Sequence, residues 1–155
     1  MTNETPIQLV DPFDLERFVI AQNEVYSEVL EELQQGAKQS HWMWFVFPQV
    51  EGLGTSWMAD KYAISSRREA EAYMAHPILA PRLVKCTELV NDVKGRSIQQ
   101  IFGHTDALKF RSSMTLFCEV ASDRSIFLEA LQKYFAAQPD QLTLDRLQIW
   151  ARRRR

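Results

Sequence analysis

The sequence has few of the features that mark secreted, membrane-bound or disulfide-rich proteins. Its two cysteines, Cys86 and Cys118, lie far apart in apolar helical patterns, which argues against a disulfide framework and indicates buried thiols. The longest apolar run, Trp42 to Pro48, is much shorter than the roughly 20 residues that span a bilayer. The start, MTNETPIQLVDP, lacks the charged and then apolar plan of a signal peptide. We therefore predict a soluble cytoplasmic protein without a membrane partner.

The motifs of the common cofactor and metal sites are also missing. The three histidines form no i,i+4 pair and no HExxH motif, so we predict no metal site. The patterns GxGxxG, GxxxxGK(S/T) and GxSxG do not occur, which leaves dinucleotide-binding, P-loop and hydrolase-elbow sites without support. From these absences we expect no cofactor.

The charge has no strong excess of either sign. The net charge of −2 argues against a general nucleic-acid binder, because such proteins neutralise phosphates with a basic surface. We expect no nucleic-acid partner. Residues 11–33 are nevertheless acidic, and residues 152–155 form a basic tail. We interpret these as a solvated helix face and a frayed tail, with contact between them, in one chain or between subunits, as the alternative.

What the sequence does contain is typical of one globular domain. It is 46% hydrophobic and 25% charged, and a chain of 155 residues buries roughly 70% of its unfolded surface. No repeat or flexible linker interrupts it. We predict a single domain over residues 1–155, with residues 1–10 as an N-terminal extension.

Apolar residues recur at helical spacing along most of the chain, which predicts an all-α fold. Asp11-Pro12 starts the first run and Gly36 ends it, with a bend near Asn23 as an alternative. Serines at capping-box spacing start two of the others. The predicted helices are 13–35, 66–74 with Ser66 as its cap, 79–93, 97–103 with Ser97 as its cap, 107–121 and 126–135. A last helix is capped by Thr143 and carries Trp150.

The aromatic segment, residues 41–48, is the exception to this periodicity. Every residue from Trp42 to Phe47 is apolar, so the pattern cannot choose between a buried helix and a buried strand. Each aromatic side chain can bury about 150–250 Å². We therefore predict a multihelical domain with this segment at the centre of its core and at most minor β structure.

Several stretches resemble one protein family in order and with few gaps. They are DPFDLERFVIAQ, SHWMWFVFPQVEGLG, YAISSRREAEAYMAHPILAPRL, IFGHTDALKFRSSMTLF and FLEALQKYF. Together they resemble the DUF1810 family, a group of small, mainly helical proteins sometimes labelled calpastatin-like. The sequence departs at Ala80-Pro81, where the family more often has a glycine. The resemblance implies an all-α fold and no established activity.

The first candidate site lies in the aromatic segment. His41 is the candidate catalytic residue, because histidine exchanges protons near neutral pH, although a ring bonded to backbone groups at the core edge is the alternative. Trp42 and Trp44 have flat faces that suit a base or a nicotinamide, and Gln49 supplies an amide. As the alternative, both tryptophans serve only in core packing.

The second candidate site is LKFRSSMTLF, residues 108–117. On a helix, Lys109, Ser112 and Ser113 are expected on the polar side, with Arg111 as a further candidate, while Phe110, Met114 and Phe117 face inward. Two cations and two hydroxyls within five residues suit a phosphate or carboxylate, and the alternative is an ordinary exposed helix face. Asp106, just before them, favours the start of the helix.

Three functions remain open. The first is binding of a small nucleotide-like or phosphorylated ligand where segments 40–49 and 109–115 converge. The second is a regulatory or protein-interaction module with unknown protein partners. The third is hydrolysis of ADP-ribose-like N-glycosides, because EAEAYMAHPILAPRL is similar in layout to the NADAR family. Convergence of the two segments on one cavity favours the first over the second.

Overall fold

The structure, a computed structural model, describes residues 10–153. The described helices are α1 (Glu16–Gln35), α2 (Met43–Val46), α3 (Trp57–Lys61), α4 (Arg67–Ala75), α5 (Leu79–Asp92), α6 (Ile98–Phe102), α7 (His104–Val120), α8 (Ser125–Phe135) and α9 (Gln141–Arg153). An isolated parallel bridge between Val50 and Ile64 is the β structure of this range. The predicted all-α fold with at most minor β is confirmed. Among the described helices, none is both long and apolar enough to cross a membrane.

The helix ends show which capping predictions were right. Gly36 ends α1 in the left-handed conformation, as predicted, and α1 is one continuous helix. Its start is later than predicted: the Asp11 carboxylate accepts hydrogen bonds from the amides of Leu15 and Glu16, and the helix begins only there. The predicted extension falls almost wholly on residues 1–9, outside the described residues. The tail was predicted to be frayed, but Arg152 and Arg153 are helical residues of α9.

The serine caps lie where the sequence placed them. Ser97 and Gln100 form a full capping box, and the Ser66 hydroxyl accepts from the amide of Glu69. Thr143 was wrongly assigned as the cap of α9, because the carboxylate of Asp140 accepts hydrogen bonds from the amide and hydroxyl of Thr143. Helix α3 was missed, since five residues are too few to show a period.

Helix α7 runs through the middle of the domain and packs against α4, α6, α8 and α9. Residues Ser112–Cys118 are therefore buried without interruption. The prediction that Ser112 and Ser113 lie on a polar, solvent-facing side is wrong for this reason. This stretch of α7 is enclosed by the neighbouring helices, so its serines are buried whatever their polarity.

The aromatic segment forms the short helix α2, so the strand alternative is wrong. Trp42 and Phe47 at its two ends are fully buried. Their rings contact the rings of Phe102 in α6 and Phe110 in α7, with centroids 5.0–6.4 Å apart. Such pairs stabilise a core by about 0.5–1.5 kcal/mol each beyond the burial of their area. The predicted central position of the segment in the core is confirmed.

The carboxylate of Glu32 fixes the loop that leads from α1 into this segment. It accepts hydrogen bonds from the amides of Gln39 and Ser40, the hydroxyl of Ser40 and the indole N–H of Trp42, at 2.7–3.0 Å. Burial alone would raise the pKa of Glu32, but these hydrogen bonds outweigh it and lower the pKa below its ordinary value. The loop is thus built around one ionised side chain.

We predict that Glu32→Gln destabilises the fold by about 2–3 kcal/mol, because the hydrogen bonds to a charged carboxylate become weaker neutral ones and the Ser40 hydroxyl meets an NH2 group in place of an acceptor oxygen. Denaturant unfolding measures the loss, and Glu28→Gln, at an exposed position of α1, is the control. A lowered folded-state pKa adds stability that is complete above the unfolded glutamate pKa of about 4.3 and is lost as pH falls through the folded-state pKa. The difference between wild type and variant should therefore shrink in acid. An equal loss in both variants would contradict the prediction.

Candidate functional site

A cleft of about 430 Å³ opens where α2, α3, α7 and the start of α9 meet, and we call it the Trp44 cleft. This volume lies in the range of small-molecule sites. Trp44, Gln49, Lys109 and Ser112 line it, which brings together four of the seven predicted site residues. The two predicted segments thus converge on one concave surface.

A lysine and a tryptophan ring form one wall of the Trp44 cleft. The ammonium of Lys109 lies 4.7 Å from the centroid of the Trp44 ring. The same ammonium is 3.5 Å from the carboxylate of Asp106, whose other oxygen contacts the ammonium of Lys38 at 2.8 Å. One carboxylate therefore balances two lysines, and this wall keeps a net positive charge.

Gln49 is held in place through its backbone. Its carbonyl accepts from the amide of Ile64 at 2.8 Å, and the amide of Glu51 donates to the carbonyl of Ile64 at 2.9 Å. The Gln49 side chain has no hydrogen-bond partner among residues 10–153 and lines the cleft. A half-buried amide on a fixed backbone is suited to recognise a ligand.

The loop after Gln49 closes another side of the cleft. A Cβ atom at Gly54 would lie 2.7 Å from the Cβ of Ala59, so only glycine lets the loop approach α3 this closely. The side chain of Ser56 then caps α3. Gly52 and Leu53 turn the chain here, and Leu53 also lines the cleft.

Polar groups on α7 and α9 complete the lining. The Ser112 hydroxyl donates to the carbonyl of Leu108, and Thr105 lies two turns before Ser112 at the cleft. Asp140 also lines the cleft, but one of its oxygens is engaged by the amide and hydroxyl of Thr143. The cleft therefore offers hydroxyls, one amide, one ammonium and one partly engaged carboxylate.

Three predicted site residues lie outside the Trp44 cleft. His41 is exposed to solvent and does not line it. The Trp42 ring is fully buried, with its indole N–H bonded to Glu32 at 3.0 Å, as the core-packing alternative required. Ser113 is fully buried, and its hydroxyl has no hydrogen-bond partner among the described residues.

Sequence reasoning missed several residues of the site. Leu108 and Leu142 line the cleft although their side chains are largely exposed, at 51% and 63%. The sequence signal for both leucines was an apolar side chain outside the row of apolar positions that faces the core. Glu32 and Lys38 do not line the cleft but hold residues next to it, through Trp42 and Asp106 respectively. The sequence signal for Glu32 was its position on the apolar side of α1, beside Val29 and Leu33.

Other reactive groups lie away from this cleft. Burial raises the pKa of the Cys86 thiol to about 12, which keeps it protonated and unreactive at neutral pH. Within residues 10–153, no three His, Cys, Asp or Glu side chains are grouped closely enough to hold a metal ion.

Comparison with known proteins gives the family of the chain. A family model described as "Protein of unknown function (DUF1810)" matches residues 12–147. The chain belongs to the DUF1810 family. This confirms the resemblance seen in its sequence, and the Trp44 cleft lies wholly within the matched residues of this DUF1810 protein. No curated protein matches the chain.

A solved structure shares the fold. The chain is similar to the conserved hypothetical protein Rv1873 from Mycobacterium tuberculosis, known from a crystal structure at 1.38 Å. The two are 54% identical, the match covers 89% of this chain and 99% of that one, and the TM-score is 0.88. The helical architecture described above is thus that of another protein solved by crystallography.

We predict that Ser113→Ala stabilises this DUF1810 protein by about 0.5–1 kcal/mol. The change removes a buried hydroxyl that has no partner and places a better helix former inside α7. Thermal and denaturant unfolding measure the gain. Ser112→Ala, one position away, removes a hydroxyl that is bonded and should bring no gain. A clear loss of stability in Ser113→Ala would show that its hydroxyl makes a bond that supports the fold.

Proposed function

We propose that this DUF1810 protein binds a small ligand that carries a planar, nucleotide-like ring and one anionic group in the Trp44 cleft. The observation that carries the proposal is the meeting of an aromatic ring, an amide without a partner and an ammonium, from distant parts of the chain, in a concavity of ligand size. Mostly apolar walls with a few convergent polar groups are the usual plan of such sites.

The charges of the cleft support an anionic group on the ligand. Lys109 shares its carboxylate partner, Asp106, with Lys38, so an anion can interact with Lys109 without breaking the stronger ion pair of Lys38. Asp140 on another wall disfavours a second negative charge nearby. A single phosphate or carboxylate therefore suits the cleft better than a polyphosphate.

Binding has more support than hydrolysis of an N-glycoside. That reaction needs a carboxylate or histidine free to position water. The carboxylate among the lining residues of the cleft, Asp140, is held by Thr143 at the start of α9 and has one oxygen left for a water molecule, and His41 lies outside the cleft. We accordingly propose a ligand site and no reaction.

The first experiment is a thermal-shift screen with matched pairs of compounds. Each nucleoside, sugar or nicotinamide derivative is tested with and without its phosphate. A saturable ligand at a hundred times its dissociation constant stabilises the native state by about 2.7 kcal/mol. We expect a phosphorylated or carboxylated member of a pair to stabilise the protein and its neutral partner to do so much less. If no compound of either kind shifts the transition, the proposal fails.

Variants then locate the site. Gln49→Ala and Lys109→Gln should each weaken binding of the compound found by about tenfold or more, a loss of about 1.4 kcal/mol, because each removes one polar contact. His41→Ala is the matched control in the same segment and should bind as wild type does, since it lies outside the cleft. Isothermal titration measures all three. Weaker binding in His41→Ala alone would place the ligand elsewhere.

A further inference from the structure

A second, larger concavity lies in another part of the domain. It is an open groove of about 880 Å³ between α4, α5 and the turn that joins α7 to α8, and we call it the acidic groove. It shares no lining residue with the Trp44 cleft. Substitutions in the acidic groove can therefore be made without changing the lining of the Trp44 cleft.

The floor and the rim of the acidic groove differ in chemistry. Half-buried apolar side chains form the floor, chiefly Met74, Val84, Val120 and Ile126. Exposed carboxylates stand around it: Glu71, Glu88, Asp123 and Glu129. An apolar strip with a charged border is the plan of a surface that binds an amphipathic segment.

The charge of the rim is of one sign. No lysine or arginine is among the residues that line the groove. Arg67 approaches Glu71 at 3.7 Å, whereas no cationic group of residues 10–153 lies within 4.0 Å of the carboxylates of Glu88, Asp123 or Glu129. Hydrogen bonds from the hydroxyl and amide of Ser125 also lower the pKa of Asp123, so this carboxyl stays ionised.

The length of the groove suits about two turns of a helix. Helix α5 contributes residues from Ala80 to Glu88 to its side, a distance of about 12 Å at 1.5 Å per residue. Two turns present apolar side chains at i, i+3 or i+4, and i+7 on one face. The remaining faces of such a segment would lie beside the carboxylates.

We propose that the acidic groove binds a helical segment of a partner protein that has one apolar face flanked by lysines and arginines. The apolar floor supplies the area buried on binding, and the rim selects the charge of the partner and speeds association. The acidic charge of this surface disfavours a segment with the same spacing but acidic flanks.

Two synthetic helical peptides of about 14 residues test the proposal. Both carry leucines at i, i+3, i+4 and i+7, one with lysines at the other positions and one with glutamates. We expect saturable binding of the lysine peptide to the full chain, with the largest amide shifts in NMR spectra at Val84, Val120 and Ile126. The glutamate peptide should not bind.

A charge-reversal pair provides the control. Glu88→Lys combined with Glu129→Lys should weaken the lysine peptide at least tenfold, with native NMR spectra, because both side chains are exposed. Glu28→Lys, an exposed change on α1 away from the groove, should weaken it less than twofold. Equal loss from Glu28→Lys, shifts centred elsewhere, or no binding would overturn the proposal. Concentration-dependent dimerisation through the same residues would overturn it in favour of a second copy of this chain.

Discussion

Between α1 and α2 the chain turns through Gln39 and Ser40, whose amides find their acceptors in the carboxylate of Glu32. The ionised carboxylate thus takes the place of the backbone carbonyls that accept such hydrogen bonds inside a helix. It also accepts a hydrogen bond from the indole N–H of Trp42. Because buried amides and carboxylates are costly when unpaired, each group in this set depends on the others. These hydrogen bonds, together with one from the amide of Lys38 to the carbonyl of Ile101, hold the chain on its path into the aromatic segment that carries Trp44.

Two similar lysine–tryptophan contacts lie next to this loop and share the carboxylate of Asp106. Lys38 lies over the ring of Trp42, in the core, and Lys109 lies over the ring of Trp44, at the cleft. Both ammonium groups contact Asp106 at the start of α7. The buried pair holds the loop against α7, while the more exposed pair forms the wall of the proposed ligand site. The pair that holds the loop and the pair at the proposed ligand site are therefore adjacent and share Asp106.

The helices could be predicted because their signals are local. Capping serines, Gly36 and the apolar stripes depend on residues a few positions apart, so most bounds were right to within a few residues. Short elements such as α3 gave too little pattern. The aromatic segment gave none, since its helical form depends on contacts with α6 and α7 that no spacing reveals.

The sequence indicated residues of the cleft only where side-chain chemistry and tertiary position agree. Trp44, Gln49, Lys109 and Ser112 reach the cleft, but Ser113 faces the core because α7 is surrounded by other helices. His41 and Trp42 are neighbours of Trp44 in sequence and lie on other sides of the chain. The direction of a side chain in a short, irregular segment is set by packing, which the sequence does not display.

Hydrogen exchange of the Gln39 and Ser40 amides tests the central role of Glu32 most directly. In Glu32→Gln at neutral pH, these two amides should exchange at least tenfold faster than in wild type, a change of about 1.4 kcal/mol in local opening. Amides of Val29 and Leu33 within α1 should change less, because their acceptors are backbone carbonyls of the helix. Unchanged protection of Gln39 and Ser40, or an equal change throughout α1, would contradict the account.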